Sequence, residues 1–345
     1  MPANDPAEQL QQLKHRLEVY LSEAAGLPVL ITHAQPLAGG ASRDMWRIDA
    51  QIGDAHERFV LRRDPPTQMN EQALTRAQEF SLMQAAFEAG VRVAKPRFVC
   101  EDEAVLGSPF FIMDYVDGVG IGSKVVRDPA LAAAREQLPA QMAEQLARIH
   151  TLNPADFPFL MRPQPPKHSA AQDAIHACYA ILDSLSAKNP VFEYALRWAE
   201  RHAPAHETHL FCHGDFRIGN LLVNAGGLAA VADWEFAHVG DPHEELGYLC
   251  MRDWRFGIGH LRMSGISERE PFLRAYEQFS GRTVDRAAVD YWEFLGNVRW
   301  GVICLSQANR HLSGKEPSVE LASLGRRSAE MQLEALRLIM QMEKG

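Results

Sequence analysis

Two short stretches concentrate the polar residues able to do chemistry: LFCHGDFRIGNLLV over residues 210–223 and LAAVADWEFAHVGDP over 228–242. Each is an apolar run with polar groups at its end. The first delivers His213, Asp215 and Asn220, the second Asp233 and Glu235. That set suits phosphoryl transfer. The reaction needs a carboxylate to orient an attacking hydroxyl and take its proton, and a divalent cation to neutralise the triphosphate. Magnesium takes hard oxygen ligands and keeps several waters, so one carboxylate and one amide oxygen suffice. On this reading Asp215 is the base, and Asn220 and Asp233 hold the metal. Two other readings stay open on the residues alone. One is a pair of solvent-facing turn carboxylates after buried strands. The other is a metallohydrolase site of His213, Asp215, Asp233, His238 and His243, a set that transition metals accept; it gives Asn220 no part.

The elements that must position these groups fall into two blocks. Leu10, Leu13, Leu17 and Leu21 recur at helical spacing, so residues 7–25 read as an amphipathic helix ending at Gly26. Residues 43–50 and 57–63 read as strands joined by a turn at Gly53-Asp54, and Asp64-Pro65-Pro66 stops the second. A helix over 70–89 ends at Gly90, and strands over 96–101 and 109–116 follow, broken at Gly107-Ser108. From about residue 129 the pattern turns helical: 130–150, 169–186, 189–202, 269–280, 285–310 and 317–343. The strand-and-turn island 209–235 lies among those helices, and the proline-rich 154–166 reads as a surface loop. The layout is a small mixed sheet lobe, 1–117, followed by a larger helical lobe, 118–345.

Bulk composition narrows the partners. The chain has 345 residues, 46% hydrophobic and 23% charged, as in an ordinary globular protein with a sizeable core in each lobe. A formal net charge of −9 argues against nucleic acid and against an anionic membrane. The five cysteines, at 100, 178, 212, 250 and 304, form no CxxC pair, which fits reduced thiols in a cytoplasmic protein. The polar N-terminus lacks a secretory apolar stretch, and no run approaches the roughly 18 apolar residues of a membrane span.

HGDFRIGN resembles the catalytic loop of protein kinases and, more closely, the HGDxxxxN loop of the aminoglycoside phosphotransferase and choline kinase superfamily. Asp233 of DWE, 13 residues beyond Asn220, looks like that superfamily's second metal-binding aspartate. FVLRR, RAQEF, SPFFIMDYVDG and GDPHEELG fall in the family's order. The C-terminal run with VRWGVICLSQANRHLSG resembles the subgroup related to the kinase-like domain fused to some acyl-CoA dehydrogenases. The resemblance implies an α+β, bilobal protein-kinase-like fold whose first lobe binds ATP with magnesium. It places a phosphate-covering loop at LAGGASRDMW, with Gly39, Gly40 and Ser42 against the nucleotide, where the local sequence fits an ordinary turn equally well. Arg62 stands where protein kinases carry the strand lysine of VAIK, and a guanidinium's planar fork suits phosphate oxygens. Glu79 on the next helix is its implied partner, with Glu71 the competing choice. FFIMDYVDG looks like the hinge between lobes, where the backbone of Asp114 and Val116 would meet the adenine and Met113 would form the back wall. His213 is implied as scaffold. Glu235 replaces the glycine of the protein-kinase DFG triplet and is open to a second magnesium, the acceptor, or a structural hydrogen bond. Asp241 matches a family aspartate that fixes loop geometry, and Glu245 stands where aspartate is usual.

The acceptor is a small molecule with a hydroxyl. Residues 251–274 hold Arg252, Arg255, Arg262, Arg269 and Arg274 against Asp253, Glu268 and Glu270, and Arg299 and Arg310 follow. This balance favours an anionic acceptor, with Arg252 and Arg255 as its candidate contacts, over a polycationic aminoglycoside. Kinship extends that to a hydroxyacyl-CoA. Antibiotic phosphorylation and a nucleotide-binding regulatory pseudokinase are the competing functions.

Overall fold

The computed structural model describes residues 6–37, 44–64, 74–161, 167–185 and 188–344. They form two compact units. The first comprises the residues up to 118 together with 229–236, the second 119–228 and 237 onward. A single cut after residue 117 therefore misplaces one piece: 229–236, which carries Asp233 and Glu235, packs with the first unit.

The first unit opens with α1 (Pro6–Ala25), then β1 (Val29–Pro36), β2 (Asp44–Ile52), β3 (Ala55–Arg63), α2 (Arg76–Glu88), β4 (Pro96–Cys100), α3 (Glu103–Leu106) and β5 (Phe110–Asp114). The strands make one antiparallel sheet in the order β1-β2-β3-β5-β4. Leu17 and Leu21 of α1 pack on Ile31, Ile48, Phe59, Leu61, Phe110 and Ile112 of the sheet. β1 has no counterpart in the sequence reading. Its VLITHAQP run alternates apolar residues only at the start, and its register with β2 shifts between Ile31 and His33. Helix α2 begins at Arg76 rather than 70. Thr75 takes extended angles (φ −66°, ψ 161°) and forms a capping box with Gln78, so residues 74 and 75 lie outside the helix. Arg62, next to the end of β3, is paired with Phe111 of β5.

The second unit holds α4 (Gly122–Arg127), α5 (Ala132–Ile149), α6 (Ala170–Ser184), α7 (Pro190–His202), β6 (Leu210–Cys212), β7 (Leu221–Asn224), the start of β8 (Gly227–Val231), β9 (His238–Gly240), α8 (Pro242–Tyr248), α9 (Arg269–Ser280), α10 (Arg286–Leu312) and α11 (Val319–Met342). Its hub is α10, which buries Trp292, Phe294, Leu295, Val298 and Val302 against α6, α7 and α11. Helix α8 crosses α10 so closely that a Cβ on Gly247 would lie 2.5 Å from the Glu293 backbone nitrogen. Any larger residue at 247 pushes the two helices apart, and α8 is the helix that reaches residues 213–215.

Helix α10 also buries charge. Glu293 is fully buried and receives Arg255 at 2.7 Å, together with Arg262 and Arg269. Arg255 also donates to the Cys250 carbonyl from Nε and Nη2, at 3.0 and 2.7 Å. Burial pushes the Glu293 carboxyl above its ordinary range, and the arginines pull it back only in part. Breaking a buried ion pair by removing one partner leaves the other charge uncompensated. Glu293→Leu is expected to lower unfolding stability by about 3–5 kcal/mol, read from urea denaturation. A loss below about 1 kcal/mol, the value of an exposed pair, contradicts this account.

Candidate active site

In the first unit, one guanidinium organises the candidate residues. Arg62 is buried, and its Nη2 lies 3.1 Å from Glu79 Oε1 and 3.0 Å from Glu235 Oε2. Its Nη1 lies 3.9 Å from Asp233 Oδ1. Glu79 also receives Arg76, whose Nε is 3.2 Å from Asp64 Oδ1. The sequence-level pairing of Arg62 with Glu79 is thus present as a contact; Glu71, Gly39, Gly40 and Ser42 lie outside the described residues. Burial drives the Glu79 carboxyl above its usual range, more than Arg62 and Arg76 lower it. Asp233 follows β8 in a left-handed conformation, φ 73°, which aspartate tolerates better than most residues because its short polar side chain can bond locally. Trp234, fully buried, donates to the Val231 carbonyl at 3.2 Å and anchors this turn. The Asp114 N–H is engaged with the Lys95 carbonyl at 2.9 Å, and its side chain pairs with Arg97. Val116 follows the end of β5.

In the second unit, the loop after β6 is held from behind by Glu245. Its carboxylate accepts the backbone N–H of His213 at 2.9 Å and of Gly214 at 2.8 Å. His150 Nε2 meets the same carboxylate at 3.0 Å, while its Nδ1 meets the Tyr276 hydroxyl at 2.6 Å. Burial raises the Glu245 pKa, but the His150 hydrogen bond and the nearby His150 and His213 outweigh it, and the carboxyl lies below its ordinary range. Gly214 adopts φ 83°, a turn that aims Asp215 away from this anchor. His213 is fully buried, and its Nδ1 accepts the Asp215 N–H at 3.2 Å.

Asp215 itself is surrounded by donors. Oδ1 accepts from the Tyr248 hydroxyl at 2.6 Å and from Arg217 Nε at 3.1 Å. Asn220 Nδ2 donates to Oδ2 and, at 3.0 Å, to the Asp215 carbonyl. The Arg217 guanidinium lies 4.7 Å from the Trp254 ring centroid and folds over Gly219, where a Cβ would meet it at 2.3 Å. Arg217, Tyr248 and Trp254 went unnoticed in the sequence. A signal existed: Glu245 and Tyr248 are three apart on α8, so they share one helix face.

The arginines of 251–274 are already paired with carboxylates. Arg255 is buried between Glu293 and Glu334, which corrects its assignment to the acceptor. Arg252 meets Glu334 at 3.4 Å, Arg274 meets Glu270, Arg299 meets Glu244 and Arg310 meets Glu316. With Arg262 and Arg269 on Glu293, every arginine counted has a carboxylate beside it. The positive balance of 251–274 is matched by acids from distant α10 and α11, which a local count misses. The metallohydrolase set is not gathered either. His238 Nε2 faces Glu244 at 3.3 Å, and His243 sits 2.6 Å from Asp241 with its Nε2 accepting the Asp285 N–H. Among the described residues, the one trio of His, Cys or acidic groups close enough to share an ion is His150, Cys212 and Glu245, the anchor just described.

Comparison with known proteins bears on this geometry. The profile of the phosphotransferase enzyme family matches residues 33–292, well over half of the chain. The chain belongs to that family. Mouse acyl-CoA dehydrogenase family member 10 is 27% identical over 307 residues, which cover 80% of this chain and 27% of that protein. The chain spans 24–36% of the other acyl-CoA dehydrogenase relatives compared. A solved structure from Ralstonia eutropha, described provisionally as an aminoglycoside phosphotransferase, superposes with a TM-score of 0.73 at 21% identity, covering 95% of this chain and 98% of that one. A choline/ethanolamine kinase family protein from Mesorhizobium loti gives 0.62 at 17% identity, covering 96% and 100%. At these identities the structures establish the fold, which is kinase-like and α+β, as the catalytic-loop resemblance implied.

The charge cluster around Arg62 makes a pH-dependent prediction. Arg62 is one of two cations holding Glu79 down, so its removal raises the folded-state pKa of Glu79 further. A carboxyl raised on folding favours the fold while protonated and loses that contribution as pH rises through the folded value. Arg62→Met is therefore expected to cost about 3–5 kcal/mol at neutral pH and to approach the wild type as the solution is acidified from there. Melting curves of both proteins across that range test it; a gap independent of pH refutes it.

Proposed function

We propose that the chain transfers the γ-phosphoryl group of magnesium-bound ATP to a hydroxyl of a small molecule, with Asp215 as the base. One observation carries the reading: the Asp215 carboxylate, on a loop fixed by Glu245, already receives a hydroxyl at 2.6 Å. An alcohol bound there is held in the pose in which its oxygen attacks phosphorus and its proton passes to the carboxylate.

Asn220 and Asp233 fit a magnesium ion by their chemistry. Donation from Asn220 Nδ2 to Asp215 orients the amide and reserves its oxygen for a cation. Asp233 supplies a hard carboxylate oxygen, the ligand type magnesium prefers. When bound, the ion neutralises charge on the triphosphate. Arg62, kept in place by Glu79, is assigned to the phosphates, and Glu235 is assigned to holding Arg62. Gly39, Gly40 and Ser42 are proposed to cover the phosphates. Because the Asp114 N–H is already engaged, adenine is assigned to the Asp114 carbonyl and the Val116 backbone.

For the acceptor, kinship is the remaining support. The acyl-CoA dehydrogenase relatives point to a hydroxyacyl-CoA, in preference to an aminoglycoside or to a pseudokinase without turnover. The cytoplasmic assignment rests on five free, buried cysteines; separately, no helix of the described residues is long and apolar enough to cross a membrane.

Asp215→Asn preserves shape and removes basicity. Its kcat is expected to fall by about 10²–10⁴ with nucleotide affinity nearly unchanged, whereas Asp233→Ala is expected to weaken magnesium-ATP binding itself. Steady-state rates with hydroxyacyl-CoAs, amino alcohols and aminoglycosides, beside calorimetric nucleotide titrations, separate these effects. Full turnover by Asp215→Asn removes the proposed base, and a good aminoglycoside substrate removes the acyl-CoA assignment.

A further inference from the structure

Both oxygens of the base accept hydrogen bonds in this structure, and one of the donors is itself an alcohol. Oδ2 of Asp215 is taken by the Asn220 amide, and Oδ1 by Arg217 and Tyr248. These donors differ in how replaceable they are. Asn220 is held twice, by the side chain and the carbonyl of Asp215. Arg217 lies over the Trp254 ring and close to Gly219. Tyr248 is the last residue of α8, and its hydroxyl makes the bond that an acceptor hydroxyl makes: a neutral O–H donated to Oδ1.

We propose that Tyr248 is a stopper for the catalytic base: its hydroxyl holds the acceptor's place on Asp215 Oδ1, keeps water from that oxygen, and leaves only when a bound alcohol supplies the same hydrogen bond. The inference rests on the reading of Asp215 as the base. It answers a problem every such enzyme faces, because water at 55 M competes with a dilute alcohol for the same phosphoryl group, roughly a bulk-solvent advantage that positioning must overcome. In the reaction suppressed, a water oxygen forms a bond to the γ-phosphorus as the bond to the β-γ bridging oxygen breaks. The water proton passes to Asp215, and ADP and phosphate leave. Tyr248 blocks this by geometry. Burial, and then the Asp215 carboxylate, push its phenol pKa well above the ordinary value, so the hydroxyl stays protonated and keeps donating across the neutral range. Its ring is braced by Trp254, 5.5 Å away between centroids, which keeps the hydroxyl aimed at Oδ1.

Tyr248→Phe deletes the hydroxyl and leaves room for about one water molecule against Oδ1. The full-length variant, given magnesium-ATP and no acceptor, is expected to release ADP about tenfold faster than the wild type, the scale set by one hydrogen bond to a charged group. The oxygen gained by the released phosphate is to be traced with ¹⁸O-water. Adding Asp215→Asn to the variant is expected to abolish the gain. A merely structural tyrosine predicts the opposite sign, a rate equal to the wild type or lower. Tyr248→Met, which keeps much of the volume without a hydroxyl, provides the same test if the phenylalanine variant folds poorly. Acceptor-independent release that stays flat in a folded variant still binding magnesium-ATP overturns the stopper alone. A gain that survives Asp215→Asn overturns the base assignment and the stopper with it.

Discussion

The HGD loop of this protein depends on one buried carboxylate accepting two backbone N–H groups. Glu245 faces His213 and Gly214, so it acts on the main chain of the HGD loop rather than on any reacting side chain. An ionised acceptor makes such bonds stronger than neutral pairs, and burial strengthens them further at the cost of desolvating the charge. His150 offsets that cost and is itself oriented by Tyr276, so the anchor draws on α5, α8 and α9 at once. The position of Asp215 is therefore a property of the helical core. Gly247, two residues beyond the anchor, is the residue that lets α8 lie close on α10 and keeps the support rigid.

Charge is handled the same way elsewhere in the chain. Around Arg62 a single cation is shared by Glu79, Asp233 and Glu235. Around Glu293 a single anion is shared by Arg255, Arg262 and Arg269. Both clusters are buried and both join segments far apart in sequence. Buried pairs of this kind are weak sources of net stability, but they are intolerant of losing one member. They specify arrangement more than they add strength, and Arg255, Arg262 and Arg269 are already engaged by Glu293.

Much of this was legible in the sequence. HGDFRIGN and DWE stand out because phosphoryl transfer needs few groups at fixed spacing, and FVLRR with RAQEF announces the Arg62–Glu79 pair. The helices of the second unit follow from their 3.6-residue periodicity. What escaped was non-local. Strand β1 is amphipathic for only three residues before a bulge breaks its register, so local pattern cannot find it. The arginines of 251–274 look surplus until α10 and α11 bring acids to them. Tyr248 looks like any helix residue until the fold turns it toward Asp215. Pattern reports what a residue does for its own element, and contacts across elements lie beyond it.

The return of residues 229–236 to the first unit has a consequence for how the protein is made. Synthesis runs from the N-terminus, and domains generally fold as units while the chain emerges. Here the five-stranded sheet is complete by residue 114, yet Arg62 must wait 173 residues for Glu235. Until then its cationic side chain has Glu79 alone among its three carboxylate neighbours. The emerging sheet lobe is a partly finished structure whose last piece, 229–236, is made only after residues 119–228 of the second unit. A fragment ending at residue 118 inherits that defect permanently, whereas one in which 229–236 is reconnected directly to residue 118 is the smaller object that the first unit's contacts describe.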